Sequence, residues 1–450
     1  MHSKRTAVDI NKFLAQLRSR PLVWDTITTT GWSSLGKAAG FLIPFFIAAW
    51  YGVSSETDAF FFAYGLIIFL ATIFSPVVES IIVPFIAEAR AKGEDVKAFV
   101  GRILGMSAIG LAAISTVFLL VIKPILSVLT KFSPQELDLV YWILLESTPL
   151  IILLVWTSVL AGLLNAYKVF SIPALSPALR ASVTLTFILI FKEQMGVHAI
   201  ALGYVAGEIF RLLVLFIVLR KLNIFHFKLS VGWEPKFAEF LKTSSYQIIG
   251  MSFLAFTPIV NKTMASWLGS GNVSLLEYTD RLYMIPTTLL SSGLIITLLS
   301  HWSERYQTGG EVQLKNDVLK AVKTVWLIGI ILTVFLFMGK SYLVNLVYGH
   351  GQFPKEKLID VGYILGFYLL GITPYFLSQV YVRAFLVKKN TSVLLFTALL
   401  MVLGSIIFNF IFMRMMGVAG IALATAVVML TAFIFLHLLF TRKAFKYGLP

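Results

Sequence analysis

Apolar residues run through this chain in stretches too long and too uniform for one face of a soluble helix. The runs near 31–51, 57–84, 99–121 and 137–164 each reach the length of about 20 residues that an α-helix needs to cross the hydrocarbon of a bilayer. Two more follow near 170–191 and 196–219, then a polar joint over 220–236, then six near 240–268, 274–301, 318–338, 359–385, 391–413 and 417–440. The pattern predicts an all-α polytopic membrane protein with about twelve transmembrane helices. Composition removes the soluble alternative. The chain is 58% hydrophobic and 13% charged, with a mean hydropathy of +0.87, whereas soluble domains carry about 25% charged residues.

Charge then orients the helices. The net charge of +15 would suggest nucleic acid in a soluble protein, but here the basic residues gather in short loops. Arg90, Lys92, Lys97 and Arg102 form one group, Arg220, Lys221, Lys228 and Lys236 another, followed by Lys388 with Lys389 and by Arg442, Lys443 and Lys446. Under the positive-inside rule these loops and both termini are cytoplasmic, and no nucleic-acid partner is implied. The first residues carry Lys4, Arg5, Lys12, Arg18 and Arg20 without an apolar core or cleavage site, so they read as a cytoplasmic lead-in. Cysteine is absent and the six histidines show no ligand spacing, so neither a metal nor another cofactor is expected.

An internal repeat organises the segments. MGVHAIAL at 195–202 returns as MGVAGIAL at 416–423, an offset of 221, and Thr57-Asp58 returns as Thr279-Asp280 at 222. Leu219-Arg220-Lys221 matches Thr441-Arg442-Lys443, and Pro149 and Pro374 fit the same register with small gaps. Because about six helices separate equivalent points, the copies share one orientation, related by an axis along the membrane normal. The expected architecture is two pseudo-symmetric six-helix lobes around a central cavity. The boundaries are a lead-in at 1–24, an N-lobe at 25–225, a cytoplasmic linker at 226–238, a C-lobe at 239–441 and a cytoplasmic tail at 442–450.

Ionisable residues inside the apolar runs single out the chemistry. The stretch 258–286, PIVNKTMASWLGSGNVSLLEYTDRLYMIP, packs Asn261, Lys262, Glu277, Asp280 and Arg281 into a hairpin broken at Gly269-Ser270-Gly271. Charges at such depth are costly unless they face a watered cavity or one another. They act on a charged substrate, or Arg281 pairs with Glu277 or Asp280 and only locks helices. Lys37 has no acid nearby on its own helix and lies between Gly36 and Gly40, a small-residue context that lets another helix or an anion come close. Asp58 either caps the helix it opens, with Thr57, or couples transport to an ion. Glu79 and Glu146 are further coupling candidates, and Glu208 and Arg211, three apart, read as a structural pair. No loop carries paired carboxylates for acid and base work, so catalytic residues are not expected and the chain does not read as an enzyme.

The segments GKAAGFLIPFFIAAWYGVSSETDAFFFAY, GSGNVSLLEYTDRLYMIP with SERYQTGG, VYGHGQF and FNFIFMRMMGVAGIALATAV resemble the MurJ/MviN lipid II flippase family, of the multidrug, oligosaccharidyl-lipid and polysaccharide exporter superfamily. The resemblance implies alternating-access transport of an undecaprenyl-pyrophosphate-linked glycan, lipid II or a related cell-wall or exopolysaccharide precursor, across the bacterial inner membrane. It places the pyrophosphate-holding cations at Lys37, where the family has arginine, and Arg281, and the helix-opening acid at Asp58. The chain departs from the family at Ile43-Pro44, Ala71 and Met284, where further arginines and acids are usual, and carries Lys262 where a neutral residue is usual. The expected substrate-binding residues are therefore Lys37, Asn261, Lys262 and Arg281, and the coupling or cavity acids Asp58, Glu79, Glu277 and Asp280. Coupling to the membrane potential, to H+ or to Na+, a monomeric state, contact with membrane lipids and with cell-wall or polysaccharide synthesis enzymes complete the reading. A multidrug or organic-ion antiporter of the same superfamily and a non-transporting membrane scaffold are the alternatives.

Overall fold

The computed structural model describes residues 21–226 and 229–442. Most of the lead-in at 1–24, together with Lys228, Lys443 and Lys446, lies outside the described residues. The helices are α1 (Pro21–Tyr51), α2 (Ser55–Ala91), α3 (Val96–Leu129), α4 (Pro134–Ser147), α5 (Pro149–Ala166), α6 (Ser171–Met195) and α7 (His198–Lys221). Then come α8 (Pro235–Ala265), α9 (Asn272–Tyr348), α10 (Lys355–Leu370), α11 (Ile372–Val387), α12 (Thr391–Met416) and α13 (Val418–Thr441). The protein is all-helical, as helices satisfy every backbone group within one segment. Among the described residues, ten helical stretches are long and apolar enough to cross a membrane. The segments near 240–268 and 274–301 that bring the sequence-based count to about twelve are also helical, within α8 and α9.

Breaks fall where backbone chemistry demands them. α9 is two helices joined at Gly310, whose φ of 65° and ψ of −158° suit only a residue without a Cβ. Arg305 reaches Asp317 across the bend at 3.3 Å. Pro149 opens α5 and Pro374 falls in the first turn of α11, so α4 with α5 and α10 with α11 each form a span in two pieces, with proline where a missing N–H costs least.

The repeat is visible in local geometry. Gly196 and Gly417 adopt φ/ψ of 53°/−136° and 60°/−137°, and each donates its N–H to the carbonyl four residues back, at 3.0 and 2.9 Å. Lys168 and Lys389 both have positive φ, 62° and 55°, and lie 221 apart, the offset of the sequence repeat. The Thr-Asp match does not share this register. Asp58 is the fourth residue of α2 and Asp280 the ninth of α9, so the two carboxylates stand at different depths.

Packing divides the chain into two compact units. The first draws on residues up to Ile43, Phe74–Thr116 and Ser147–Ser245, the second on Pro44–Ile73, Val117–Glu146 and the chain from Tyr246 onward. In the first, α7 packs along α6 and α5, and Gly36 of α1 sits where a Cβ would come within 2.8 Å of the Ala174 carbonyl, the close helix contact its small-residue context predicts. In the second, α9 packs on α10 and α11, and α13 on α10, α11 and α12. An aromatic knot closes one end of it. The buried Tyr278 hydroxyl donates to the Gly52 carbonyl (2.9 Å) and the Tyr348 hydroxyl to the Tyr278 carbonyl (2.8 Å), while the Gln352 N–H donates to Ala49 (2.7 Å). Outward-facing apolar side chains, such as Leu120 on α3 and Phe335 and Met338 on α9, form surface that only lipid can cover without cost.

Candidate functional site

The site is built by the hairpin of α8 and α9 in the second unit. α8 ends in a 3-10 turn at Ser266–Leu268, and Gly269 (φ 98°) and Gly271 (φ 83°) reverse the chain in conformations that a side chain would strain. The reversal returns α9 alongside the last turn of α8. It brings Lys262 against Glu277, and Arg281 follows one turn further along α9.

Glu277 is the centre. Its carboxylate accepts from the Arg281 guanidinium, with Nη2 at 2.5 Å and Nε at 2.8 Å from Oε1, and from the Lys262 ammonium at 2.8 Å on Oε2. The Glu277 side chain is 5% exposed, so the two cations replace the water it gave up. The Lys262 ammonium also donates to the Phe61 carbonyl of α2 at 2.9 Å. It fits there because Gly65 has no side chain: a Cβ at that position would stand 2.8 Å from Nζ.

These groups line a cavity of about 290 Å³ with Asp280, Asn261, Tyr64 and Tyr368. That is the lower end of the roughly 300–1,000 Å³ usual for ligand pockets. Two cations and two carboxylates leave it formally neutral, rather than holding free cations. Arg281 pairs with Glu277 and not with Asp280; the four-residue spacing puts Glu277 on its face, while Asp280 points about 100° away. Among the described residues Asp280 has no hydrogen bond or ion pair.

The remaining predicted residues take other places. Thr57 and Ser54 cap α2 reciprocally, Ser54 N–H to Thr57 Oγ1 at 2.9 Å and Thr57 N–H to Ser54 Oγ at 3.2 Å. Asp58 does not cap its own helix. It caps α9, accepting the Gly271 N–H (2.6 Å) and the Ser274 N–H (2.7 Å), a negative charge at a positive helix end. Asn261 lines the cavity but its amide is taken up inside the unit. Its Oδ1 accepts from Asn409 Nδ2 (2.7 Å) and the Ser405 hydroxyl (3.1 Å), and its Nδ2 donates to the Thr425 hydroxyl (3.4 Å). Lys37 is exposed on α1, without an ion-pair partner among the described residues. Glu79 is half-buried in α2. Both belong to the first unit and the cavity to the second. Asn409 was findable in sequence, as a lone amide in an apolar run. The Phe61 carbonyl and Gly65 carried no signal, because a main-chain acceptor is the same at every position.

A second buried glutamate lies in the first unit. Glu208, fully buried, accepts from Arg211 at 3.1 Å, from Arg180 at 3.4 Å and from the Thr157 hydroxyl at 2.7 Å. Arg211 Nε also donates to the Ser176 hydroxyl at 3.0 Å. The expected pair is present, and Arg180 joins it from α6.

Known proteins align with this arrangement. The family model described as lipid II flippase MurJ matches residues 47–449. A probable lipid II flippase MurJ of Buchnera aphidicola is 25% identical over 445 residues, 95% of this chain and 84% of that protein. The lipid II flippase MurJ of Burkholderia cenocepacia is 25% identical over 414 residues, 89% and 80% of the two chains. Among solved structures, a lipid II flippase MurJ in an inward closed conformation has a TM-score of 0.77 at 22% identity, over 92% of this chain and 86% of that one. An inward-facing multidrug resistance MATE family transporter scores 0.74 at 12% identity, over 94% and 99%. The second shares the fold, and with the family model covering most of the chain, this multi-pass membrane protein belongs to the lipid II flippase MurJ family.

Proposed function

We propose that the protein flips an undecaprenyl-pyrophosphate-linked glycan, lipid II or a related precursor, across the bacterial inner membrane by alternating access, and that Lys262 and Arg281 meet the pyrophosphate. The observation that carries this reading is one buried carboxylate holding two cations at the wall of a cavity. Glu277 stands in for the substrate anion. In the empty protein it keeps both cations paired, so neither faces low dielectric bare. An arriving diphosphate takes the Arg281 fork and the Lys262 ammonium for its own oxygens, and Glu277 is released toward solvent in the cavity.

The exchange also acts on the gate. Lys262 holds α2 through the Phe61 carbonyl while Asp58, also on α2, holds the start of α9. Opening the protein at that end requires both ties to break, and the substrate competes for one of them. Asp58 is the coupling acid that this geometry favours, since protonation would remove the charge from its helix-end contact. The potential is a second drive, worth about 2.3 kcal/mol per charge per 100 mV. Both termini are placed in the cytoplasm by the bias of lysine and arginine, and the protein works as a transporter rather than an enzyme.

Native mass spectrometry of the purified protein tests this. The wild type should retain a pyrophosphate-linked lipid about tenfold better than the undecaprenol-linked neutral sugar, a preference of about 1.4 kcal/mol. Arg281→Lys should narrow it, because a lysine cannot offer the guanidinium fork. Equal retention of the charged and neutral lipids by the wild type would defeat the proposal.

A further inference from the structure

A second cavity, about 570 Å³, lies at the turn between α9 and α10 in the second unit. None of the residues lining it is acidic. Lys340, Ser341 and Asn345 come from the last turns of α9, and Lys355 and Tyr363 from α10. All five can donate a hydrogen bond, and among the described residues none has a side-chain hydrogen bond or ion pair to protein; the one polar-atom contact is that of the Lys340 ammonium with the Phe337 ring. Neighbouring acids do not cancel the lysines: Asp360 is engaged by Lys357 at 3.1 Å, and neither it nor Glu356 lines the cavity. The N-terminus of α10 adds free N–H groups, since Pro354 supplies no side-chain cap.

Lys340 is placed rather than loosely extended. Its ammonium lies 4.2 Å from the Phe337 ring centroid and against Gly366 of α10, where a Cβ would stand 2.8 Å from Nζ. A lysine that only snorkels to water needs no notch in the next helix. Eight residues separate Lys340 from the end of α9 at Tyr348, a depth of about 12 Å along the axis. The apolar part of the lining is itself open, with Ile359 77% and Tyr363 53% exposed. A soluble anion has no use for such flanks, whereas a lipid has a phosphate for the lysines and acyl chains for the flanks.

We propose that this cavity binds the phosphate headgroup of an anionic phospholipid, held by Lys340 and Lys355 with its acyl chains along the exposed apolar faces of α9 and α10. Lys355 opens the span that ends at Val387, before the basic Lys388-Lys389 turn, so the positive-inside bias puts this lipid in the outer leaflet. The site shares no residue with the Glu277 cavity, so it stands or falls independently of the flippase reading.

The test is native mass spectrometry of the full chain taken from nanodiscs of equal phosphatidylglycerol and phosphatidylcholine. The wild type should retain phosphatidylglycerol preferentially. The variant Lys340→Gln/Lys355→Gln should lose this occupancy by roughly fivefold per lysine removed, Lys340→Arg/Lys355→Arg should keep most of it, and tens of millimolar inorganic phosphate should not displace it. If the double glutamine variant does not fold, the exposed Lys355→Gln alone carries the measurement. Equal retention of the two lipids by the wild type, unchanged occupancy in the glutamine variants, or displacement by phosphate alone would each overturn the proposal.

Discussion

Two buried glutamates, one in each unit, are each held by two cations, yet they are built for different ends. Glu208 has both arginines and a threonine hydroxyl from helices packed around it, and a serine holds Arg211 in turn. Glu277 has its two cations on the wall of a cavity, with a second carboxylate, Asp280, beside it. In the first cluster the carboxylate is fully buried and both its oxygens are met by protein groups. In the second, an incoming anion can take over what Glu277 does now. A buried ion pair alone therefore says little about function; the open side decides.

The largest expected effect separates the two arginines. Removing one partner of a buried pair costs about 3–5 kcal/mol, and in the Glu208 cluster that loss falls on folding. Arg211→Ala should lower the melting temperature and membrane abundance while the surviving protein still flips lipid in proteoliposomes. Arg281→Ala should melt closer to the wild type and lose flipping by about a hundredfold, roughly 2.7 kcal/mol. The reverse assignment would erase the distinction between the clusters.

Glu277→Gln comes next and tests the stand-in role directly. With the competing charge gone, a pyrophosphate lipid should bind about tenfold more tightly and turn over more slowly, because release no longer has a carboxylate to reclaim the cations. Weaker binding would show that Glu277 only positions the cavity wall.

Two glycines give a finer comparison. A Cβ at Gly207 would collide with Thr184 Oγ1 and stand 2.7 Å from the Arg180 carbonyl, whereas one at Gly65 meets the far end of Lys262. Gly207→Ala, pressing on backbone, should cost about 1–3 kcal/mol of stability. Gly65→Ala should cost less, since a lysine tip can move, and should instead slow flipping several-fold by breaking the tie to Phe61. Thermal melts beside transport rates distinguish them, and a Gly65→Ala variant as unstable as Gly207→Ala would count against the gate. A smaller effect is expected from Asp58→Asn, which keeps one oxygen for the α9 end but loses the second acceptor of the Gly271 and Ser274 N–H pair together with the charge, the charge alone being worth about 0.3–1 kcal/mol. A shift of a few-fold in rate supports the gate contact, and an unchanged rate at every pH would remove Asp58 as the coupling acid.

Much of this was readable in the chain. Apolar runs of spanning length gave the all-helical membrane class, and the repeat gave Gly196 and Gly417 the same turn. The hairpin glycines told where α8 would end. The four-residue spacing could have chosen Glu277 over Asp280 for Arg281, a local rule left unused. By contrast, the Thr-Asp repeat misled, because two residues recur by chance more easily than eight.

What the sequence determined by itself is what depends on near neighbours and on the solvent: span length, helix ends, turn conformation and the burden of charge in an apolar segment. Tertiary structure alone decided who meets that charge. Asp58 caps a helix more than 200 residues away, and Lys262 finds a carbonyl 201 residues distant. Asn261 joins Ser405, Asn409 and Thr425. Those partners are common groups, main-chain N–H and C=O or a serine hydroxyl, present throughout the chain. Only the packing of the helices, set by many weak contacts at once, brings one of them within reach.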